Sequence, residues 1–270
     1  MARPPLRLYY YRQRDGSPNF GDQLSPMIIE RVLGRPTVWA HQSDCDMAAI
    51  GSILGGIMQR KWRRWLALRF SPVHVWGSGF IRAQAADDAT TRTLLSVHAV
   101  RGHATRSTLG APPGLPLGDP GLLAGRLLDK TPAKRHSWAI VPHTVDRDLA
   151  VVRGLQAMTP HAVVADLSAD PDATLATIAG ADFVISTSLH GLIIADALGI
   201  PSIWASLSGR VSGDRFKFND YYSALGMAAP DRFRLRVPLN LDRLRERAGH
   251  APAEAVARCG EGLIRAFPAI

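Results

Sequence analysis

Alternating apolar strands and amphipathic helices predict an α/β protein of two Rossmann-like domains that face each other across a cleft. Runs such as "SWAIVPH", "DFVIST" and "PSIWA" are continuously apolar, which is typical of parallel strands covered on both faces. Helical segments separate these runs. The chain of 270 residues is also long for one hydrophobic core and suits two domains.

In the first half, a strand is predicted at "LRLYYY", before a loop rich in Gly, Pro, Asn and Asp. A helix should begin with Ser25 as N-cap and Pro26 at its first position, and should close at Leu33 and Gly34. Short apolar runs follow at "TVWA", "MAAIGSIL", "VHVWGSGF" and "SVHAVRG". The stretch "LGDPGLL" is typical of a tight structural turn.

In the second half, helices are predicted over residues 146–158, 172–179 and 191–198. The strand "HAVVADL" lies between the first two. The Pro- and Lys-containing "LLDKTPAKRHS" over residues 127–137 predicts a linker between the halves. We therefore expect an N-terminal domain of residues 1–130 and a C-terminal domain of residues 131–270 that ends in a helix.

The composition favours a cytoplasmic protein without a cofactor. No apolar segment of a secretory signal follows the first residues, and the longest apolar stretch, residues 183–205, is interrupted by His190 and Asp196. Cys45 and Cys259 have no metal-type spacing and indicate no disulfide framework. The motifs GxGxxG, Walker A, GxSxG and HExxH are missing, so nothing in the sequence proposes a metal or a nucleotide cofactor.

The net charge of +9 has two interpretations. One is an arginine-rich composition that serves solubility alone. The other is an anionic partner: a phosphorylated substrate, nucleic acid or an acidic membrane. Nucleic acid is disfavoured because no stacking platform, zinc-finger spacing or other binding motif accompanies the charge.

One segment, "QRKWRRWLALRF" over residues 59–70, mixes basic and aromatic residues. As a helix, it resembles an interfacial membrane anchor. The alternative is a basic surface helix that packs Trp62 and Trp65 into the core.

Several residues that follow predicted strands should lie in the cleft, because ligands of open α/β sheets bind beyond the carboxyl ends of the strands. They are Asn19, Gly21 and Asp22 after the first strand, His143 after "AIVP", and His190 after "DFVIST". A histidine that titrates near neutrality suits general acid–base catalysis. The alternative for both histidines is structural, as a helix-capping or strand-end surface residue.

Residues suited to an anion accompany these positions. Ser188 and Gly191 lie where a helix begins, and the free N–H groups of a helix N-terminus attract anions. Arg101 lies at a strand end, with Arg106 on the following helix, and arginine suits carboxylate or phosphate. Lys217 stands out beside Arg215 in a chain that favours arginine. The alternative for each cation is a solvated surface position.

These stretches, in this order, resemble the polysaccharide pyruvyltransferase family, in particular the short ketal-pyruvyltransferases of bacterial exopolysaccharides. The resemblance covers residues 15–226 and rests on "NFGDQLSP", "AIGSIL", "VWGSG", "AVRGHATRSTLG", "GDPGLL", "IVPH", "FVISTSLHGLIIADALGIP" and "DRFKFNDYY". It implies a GT-B-like fold and transfer of pyruvate from phosphoenolpyruvate without a metal. The product is a ketal on two hydroxyls of a hexose, commonly O4 and O6.

The resemblance also implies roles for single residues. His190 matches the family's catalytic histidine, and Lys217 and Arg101 match basic residues that would hold the donor's carboxylate and phosphate. Many family members have arginine immediately before the Leu-His pair, where this chain has Ser188. Other cations would then hold the phosphate, with Arg215, Arg210 and Arg106 as candidates.

The resemblance further implies an acceptor on a lipid carrier, and therefore contact with the inner face of an anionic membrane. Two other functions stay open from the residues alone. One is a GT-B glycosyltransferase that uses a nucleotide sugar. The other is a sugar-binding assembly subunit that keeps the fold without catalysis.

Overall fold

Two five-stranded parallel sheets form the framework of the protein. The computed structural model describes residues 3–13, 19–66, 68–85, 93–130, 132–157, 161–211, 215–235 and 240–270. The strands of the first sheet are β1 (Leu6–Tyr9), β2 (Thr37–Trp39), β3 (Met47–Ala48), β4 (Val73–Trp76) and β5 (Leu95–Ala99). Those of the second are β6 (Trp138–Val141), β7 (Ala162–Val164), β8 (Val184–Ser186), β9 (Ser202–Ser206) and β10 (Phe233–Arg234).

The strand order is β2-β1-β3-β4-β5 in the first sheet and β10-β9-β8-β6-β7 in the second. Every ladder is parallel, as in β1 with β3 and β6 with β8. The α/β prediction is therefore confirmed, and the two parallel sheets are consistent with Rossmann-like halves. The GT-B-like arrangement and the domain boundary at residue 130 stay predictions.

Helices connect the strands. They are α1 (Phe20–Arg31), α2 (Leu54–Gln59), α3 (Lys61–Leu66), α4 (His103–Thr108), α5 (Ala150–Ala157), α6 (Pro171–Ala179), α7 (Leu189–Ala197), α8 (Phe216–Ala224), α9 (Leu241–Arg247) and α10 (Ala253–Arg265). Two 3-10 helices, η1 (Pro120–Leu127) and η2 (Thr144–Asp146), complete the described elements.

The predicted start of the first helix is wrong. Helix α1 begins at Phe20 after Asn19, and Pro26 lies inside it. The Ser25 hydroxyl does not cap the helix, because it accepts a hydrogen bond from the backbone N–H of Ile50, 3.0 Å away. The sequence pattern predicts that the Ser25 side chain caps the helix, but in the structure it is hydrogen-bonded to a residue that is distant in the sequence. Pro26 leaves the carbonyl of Asp22 without its usual helical donor.

Other helix starts also differ from the prediction. Helix α7 begins at Leu189 rather than at residue 191, so His190 lies in its first turn. Helix α5 begins at Ala150, because η2 precedes it. The stretch "LGDPGLL" opens η1, where the Asp119 side chain accepts a hydrogen bond from the N–H of Gly121 at 2.9 Å.

One hydrophobic cluster draws on both sheets. It includes Leu8 and Trp76 from the first sheet, Val141 and Val184 from the second, and helix residues such as Ile28. The C-terminal helix α10 joins this cluster through Leu263. The Trp76 indole N–H also donates to the backbone carbonyl of Leu263, 2.8 Å away. The chain therefore returns from the second sheet to cover part of the first.

The segment around α3 presents apolar side chains to solvent. Trp62 is 53% exposed and Trp65 66% exposed. The interpretation that these tryptophans pack into the core is therefore wrong. Among the helices in the described parts of the chain, none has both the length and the apolar character needed to cross a bilayer.

Candidate active site

A cavity of about 520 Å³ lies at the carboxyl ends of the strands of both sheets. Tyr11 follows β1, Ser52 follows β3, and Arg101 follows β5. His143 follows β6 and Ser188 follows β8. The cavity thus occupies the position that parallel α/β topology favours for a ligand.

The structure brings most of the sequence-predicted site residues to this cavity. Those that line it are Asn19, Asp22, Arg101, His143, Ser188, His190 and Lys217. Lining residues that the sequence analysis did not single out include Tyr11, Ser52, Ile53 and Thr144. Ser52 and Thr144 could have been found from their positions just after strands. However, short polar residues are so common at strand ends that this position alone does not identify a site residue.

His190 is placed by a tight turn between β8 and α7. The Ser186 hydroxyl donates to the carbonyl of Val141 at 3.0 Å and accepts from the backbone N–H of Ser188 at 3.0 Å. Gly191 packs against this turn, and a Cβ there would come within 2.8 Å of Val141 Cγ1. Gly191 therefore serves close packing of α7 on the sheet, while His190 faces the cavity.

Gly21, in the first turn of α1, contacts His190 from the other side. A Cβ on Gly21 would overlap the imidazole ring of His190 around Nδ1. Glycine is thus the residue that lets α1 come this close to the ring. The contact joins a helix of the first half to the predicted catalytic histidine of the second.

Burial, and then nearby positive charges, lower the pKa values of His190, His143 and Lys217 in the cavity. Burial lowers the pKa of His190 to about 3, with further contributions from Lys217, Arg101 and His143. Burial and then Lys217 lower the pKa of His143 to about 4. Burial and then Arg101 lower the pKa of Lys217 to about 8. At neutral pH both imidazoles are therefore uncharged, and His190 can accept a proton.

Lys217 supplies positive charge without a nearby carboxylate. It is 7% exposed, and none of the ion pairs in the described ranges involves it. A buried cation without a counter-charge is costly unless an anion binds. The cavity is therefore suited to an anionic ligand.

Arg101 is buried and already has several partners. Its Nε donates to Asp220 Oδ2 at 3.0 Å, one Nη to the Ser52 hydroxyl at 2.6 Å, and the other to the Phe80 carbonyl at 2.6 Å. Gly79 leaves room for the guanidinium, because a Cβ there would lie 2.6 Å from Arg101 Cζ. Arg101 borders the cavity, but Asp220 balances its charge.

Sequence reasoning missed Asp220. It lies in the quoted "DRFKFNDYY", three residues after Lys217, and its only sequence signal is an acidic residue on an otherwise apolar face. Besides Arg101, it accepts hydrogen bonds from the backbone N–H of Thr105 at 2.9 Å and from the Thr105 hydroxyl at 2.6 Å. Asp220 thus positions the arginine and helix α8.

The other predicted phosphate cations lie outside the cavity lining. Arg215 lies over the Trp204 ring, 5.2 Å from its centroid, and 3.8 Å from Asp231. Arg106 donates to the carbonyl of Pro113 on the surface. Arg210 is also exposed. Their predicted role would require them to move toward the cavity.

Asp22 is the acidic residue of the cavity lining and is 6% exposed. Burial raises its pKa to about 8, and the nearby Asp119 adds to this effect. A hydrogen bond from the Tyr11 backbone works in the opposite direction without cancelling it. At neutral pH the Asp22 carboxyl is therefore mostly protonated.

In the parts of the chain that the structure describes, His, Cys, Asp and Glu form no group of three or more suited to a metal ion.

The family model for polysaccharide pyruvyl transferase matches residues 2–209. The chain belongs to the polysaccharide pyruvyl transferase family. The matched range contains every cavity residue named above except Lys217, which lies beyond its end. The resemblance noted from the sequence is thereby confirmed at the level of the family.

Two curated proteins are similar to this pyruvyl transferase family member. The succinoglycan biosynthesis protein ExoV of Rhizobium meliloti (strain 1021) is 25% identical over 239 residues, which cover 87% of this chain and 69% of ExoV. An uncharacterized protein of Acanthamoeba polyphaga mimivirus is 34% identical over 142 residues, or 48% of each chain. The match thus spans about half of the mimivirus protein. No solved structure matches the chain significantly.

Proposed function

We propose that this protein transfers pyruvate from phosphoenolpyruvate onto two hydroxyls of one hexose, commonly O4 and O6, and so forms a ketal. The acceptor we propose is a lipid-linked repeat unit of an exopolysaccharide, in keeping with the name of the succinoglycan relative. The observation that carries the proposal is the pairing, in one cavity of a family member, of a neutral His190 with an uncompensated Lys217.

The electrostatics of the cavity support an anionic donor. Phosphoenolpyruvate carries a carboxylate and a phosphate. Lys217 lacks a counter-charge in the described structure, and the N-terminus of α7 adds partial positive charge next to Ser188. In this proposal Lys217 is the main ligand of the donor. Arg101 contributes a weaker attraction, because its positive charge is already paired with Asp220.

His190 is the proposed general base. The imidazole is neutral because burial and the neighbouring cations lower its pKa to about 3, and the negative charges of a bound donor would raise this pKa and strengthen the base. His190 could then take the proton of a sugar hydroxyl as that oxygen attacks C2 of the donor. The cations stabilise the departing phosphate. Acceptor contacts would come from Asn19 and His143, which line the same cavity.

The test measures phosphate release with phosphoenolpyruvate and a candidate lipid-linked oligosaccharide. His190→Ala should lower kcat by about 10²–10⁴-fold, the usual loss for a general acid or base, and change donor affinity little. Lys217→Ala should instead weaken donor binding by about tenfold to a hundredfold, because a charge-assisted contact is lost. His161→Ala, at an exposed site away from the cavity, is the control.

Two outcomes would contradict the proposal. Near-normal turnover of His190→Ala with weakened donor affinity would make His190 an anion ligand rather than a base. Thermal stabilisation by a nucleotide sugar but not by phosphoenolpyruvate would indicate a glycosyltransferase.

We also infer that the protein docks on the inner face of an anionic membrane. The proposed docking surface, the Trp62 face, consists of side chains around α3 that are each more than half exposed: Trp62, Trp65, Leu66, Leu68 and Phe70. Exposed Arg60 and Arg63 lie in the same segment, and Arg63 lies 5.1 Å from the Trp62 ring centroid. Aromatic and basic side chains together suit the interface of an anionic bilayer.

The segment is held to the protein by Arg64, which is buried. Its two Nη atoms donate to the carbonyls of Cys45 and Ser71, each at 2.9 Å. The exposed tryptophans therefore project from an anchored segment, so that docking need not disturb the core.

Sedimentation with liposomes tests the docking. Binding should increase with the fraction of phosphatidylglycerol, since each basic residue near an anionic surface contributes about 1 kcal/mol, and should weaken with salt. The double variant Trp62→Ser and Trp65→Ser should lose about tenfold or more in binding. Val38→Thr, at an exposed apolar site in β2, is the matched control. Binding that does not depend on anionic lipid would contradict the proposal.

A further inference from the structure

Formation of a ketal from phosphoenolpyruvate needs a proton donor as well as a base, because the vinyl carbon C3 becomes a methyl group. His190 is neutral and cannot give a proton in the first step. This requirement rests on the function proposed above. The proton donor must therefore be a cavity residue that carries a proton at neutral pH.

The titratable groups that line the described cavity are Tyr11, Asp22, His143, His190 and Lys217, with Arg101 as a permanent cation. Lys217 carries a proton, but no ion pair in the described structure occupies its positive charge, and that charge is needed to bind the anionic donor. Loss of that proton during the reaction would remove the cation when phosphate leaves. The Asp22 carboxyl has no such conflict, because it is neutral before it gives up its proton, and it is buried whereas Tyr11 is 49% exposed to solvent.

The geometry around Asp22 suits a role in proton transfer. Asp22 lies in the first turn of α1, next to Gly21, whose backbone contacts the His190 ring. Gly51 lies on its other side, where a Cβ would be 3.4 Å from Asp22 Oδ1. Asp22 is thus enclosed by backbone and open toward the cavity.

We propose that the Asp22 carboxyl donates the proton to C3 of the donor, and that Asp22 and His190 exchange roles in the second half of the reaction. In the first half, an acceptor hydroxyl oxygen bonds to C2, and the electron pair of the C2–C3 double bond takes the proton of Asp22. His190 receives the hydroxyl proton.

In the second half, the bond between C2 and the phosphate oxygen breaks, and the electron pair leaves with phosphate. The second hydroxyl oxygen bonds to C2 and gives its proton to the Asp22 carboxylate, while His190 returns its proton to the phosphate. One donor and one diol thus yield one ketal and one phosphate. Both side chains regain their starting states without an oxidant or a reductant.

The surroundings of Asp22 explain how it keeps a proton. Burial disfavours the ionised carboxylate, and the carboxylate of Asp119, before η1, adds a repulsive charge. Burial, and then the charge of Asp22, raise the pKa of Tyr9 on β1. Arg101, His143, His190 and Lys217 line the same cavity. Since burial raises the pKa of Asp119 only to about 6, that neighbour is ionised at the pH where Asp22 must hold its proton.

Asp22→Asn is the first test, because the amide keeps the shape of the side chain and cannot supply the proton. We expect kcat to fall by about 10²–10⁴-fold, with the Kd for phosphoenolpyruvate within about threefold of the parent value. Asp22→Glu should recover part of the loss. Normal turnover of Asp22→Asn would overturn the proposal. Absence of phosphate release by the unaltered protein would instead reject the proposed function.

The pH profile distinguishes a proton donor from a structural residue. At saturating donor, kcat should fall above pH about 8, as Asp22 loses its proton. Asp119→Asn should move this fall to lower pH, because removal of the neighbouring negative charge lowers the pKa of Asp22. Asparagine can still cap η1. An unmoved profile in Asp119→Asn would count against the assignment.

Lys217 titrates in the same range, so a second variant separates the two groups. In Lys217→Arg the cation stays charged at every pH used, and the fall of kcat above pH about 8 should persist. If the fall disappears in Lys217→Arg, Lys217 is the proton donor and the proposal for Asp22 is wrong.

Discussion

Gly21 determines how closely helix α1 approaches His190. The absent Cβ leaves the space that the imidazole occupies. Asp22 follows directly in the chain, so this contact also sets the spacing between the two proposed proton-transfer groups. Gly21 has no side chain of its own, yet it controls the relative positions of the Asp22 carboxyl and the His190 imidazole.

Gly21→Ala should therefore impair turnover while the protein stays folded. The new methyl group would overlap the ring and displace His190 or α1, and a displacement of about 1 Å can cost about 10²-fold in rate. Steady-state kinetics with thermal unfolding as a check on the fold would measure this. Gly154→Ala in α5, where a Cβ meets nothing within 4 Å, is the control. Equal kinetics for the two variants would show that the close contact is unimportant.

At the scale of elements, a buried ion pair and hydrogen bonds fasten helix α8 to the segment that comprises Arg101 and helix α4. Asp220 on α8 receives hydrogen bonds from Arg101 and from Thr105 on α4. Gly102 permits the approach, because a Cβ there would overlap the backbone of Asp220. Ser223, one turn further along α8, accepts a hydrogen bond from the N–H of His103 at 3.0 Å. These contacts place Lys217 at the cavity.

Asp220→Ala should destabilise the protein by about 3–5 kcal/mol, because it leaves the Arg101 guanidinium buried without a counter-charge. Chemical denaturation would measure the free energy of unfolding. Asp231→Ala is the matched control, since the fully exposed Asp231 forms an ion pair with the half-exposed Arg215 and such surface pairs contribute little. A loss in Asp220→Ala no larger than in the control would mean that the pair does not hold α8.

At the scale of the whole molecule, the two sheets share one hydrophobic cluster, beside smaller clusters that pack on each sheet alone. Helix α1, helix α7 and η1 contribute to the layer between them, and Leu263 of α10 joins it. Because residues of both halves are buried against the same neighbours, the loss of one half would expose apolar surface of the other.

We therefore expect a single cooperative unfolding transition. Ile28→Ala, at a fully buried position of α1 in the shared cluster, should lower the one midpoint and cost about 2–5 kcal/mol. Far-UV and near-UV circular dichroism should give coincident curves. Two separated transitions, with only one of them moved by the substitution, would show that the halves unfold independently.

Much of the fold and of the cavity could be predicted from local pattern. Continuous apolar runs separated by helices are sufficient to indicate parallel sheets. Because carboxyl ends of parallel strands lie along one edge, residues such as His143, His190 and Asp22 could be assigned to one cleft without coordinates. Helix starts were less predictable, since the Ser25 hydroxyl found a partner at Ile50 that no local rule anticipates.

The sequence by itself determined the parallel α/β architecture, the family, and most of the charged and titratable groups that reach the cavity. Only the tertiary structure decided which of these groups are ion-paired, exposed or protonated. Arg101 is paired because Asp220 is folded against it from 119 residues away, and Trp62 is exposed while Arg64 of the same helix is buried. Asp22 holds a proton because burial and Asp119 disfavour its charge. The physical reason is common to all three: burial and charge neighbours depend on contacts between distant parts of the chain, whereas strand and helix patterns are local.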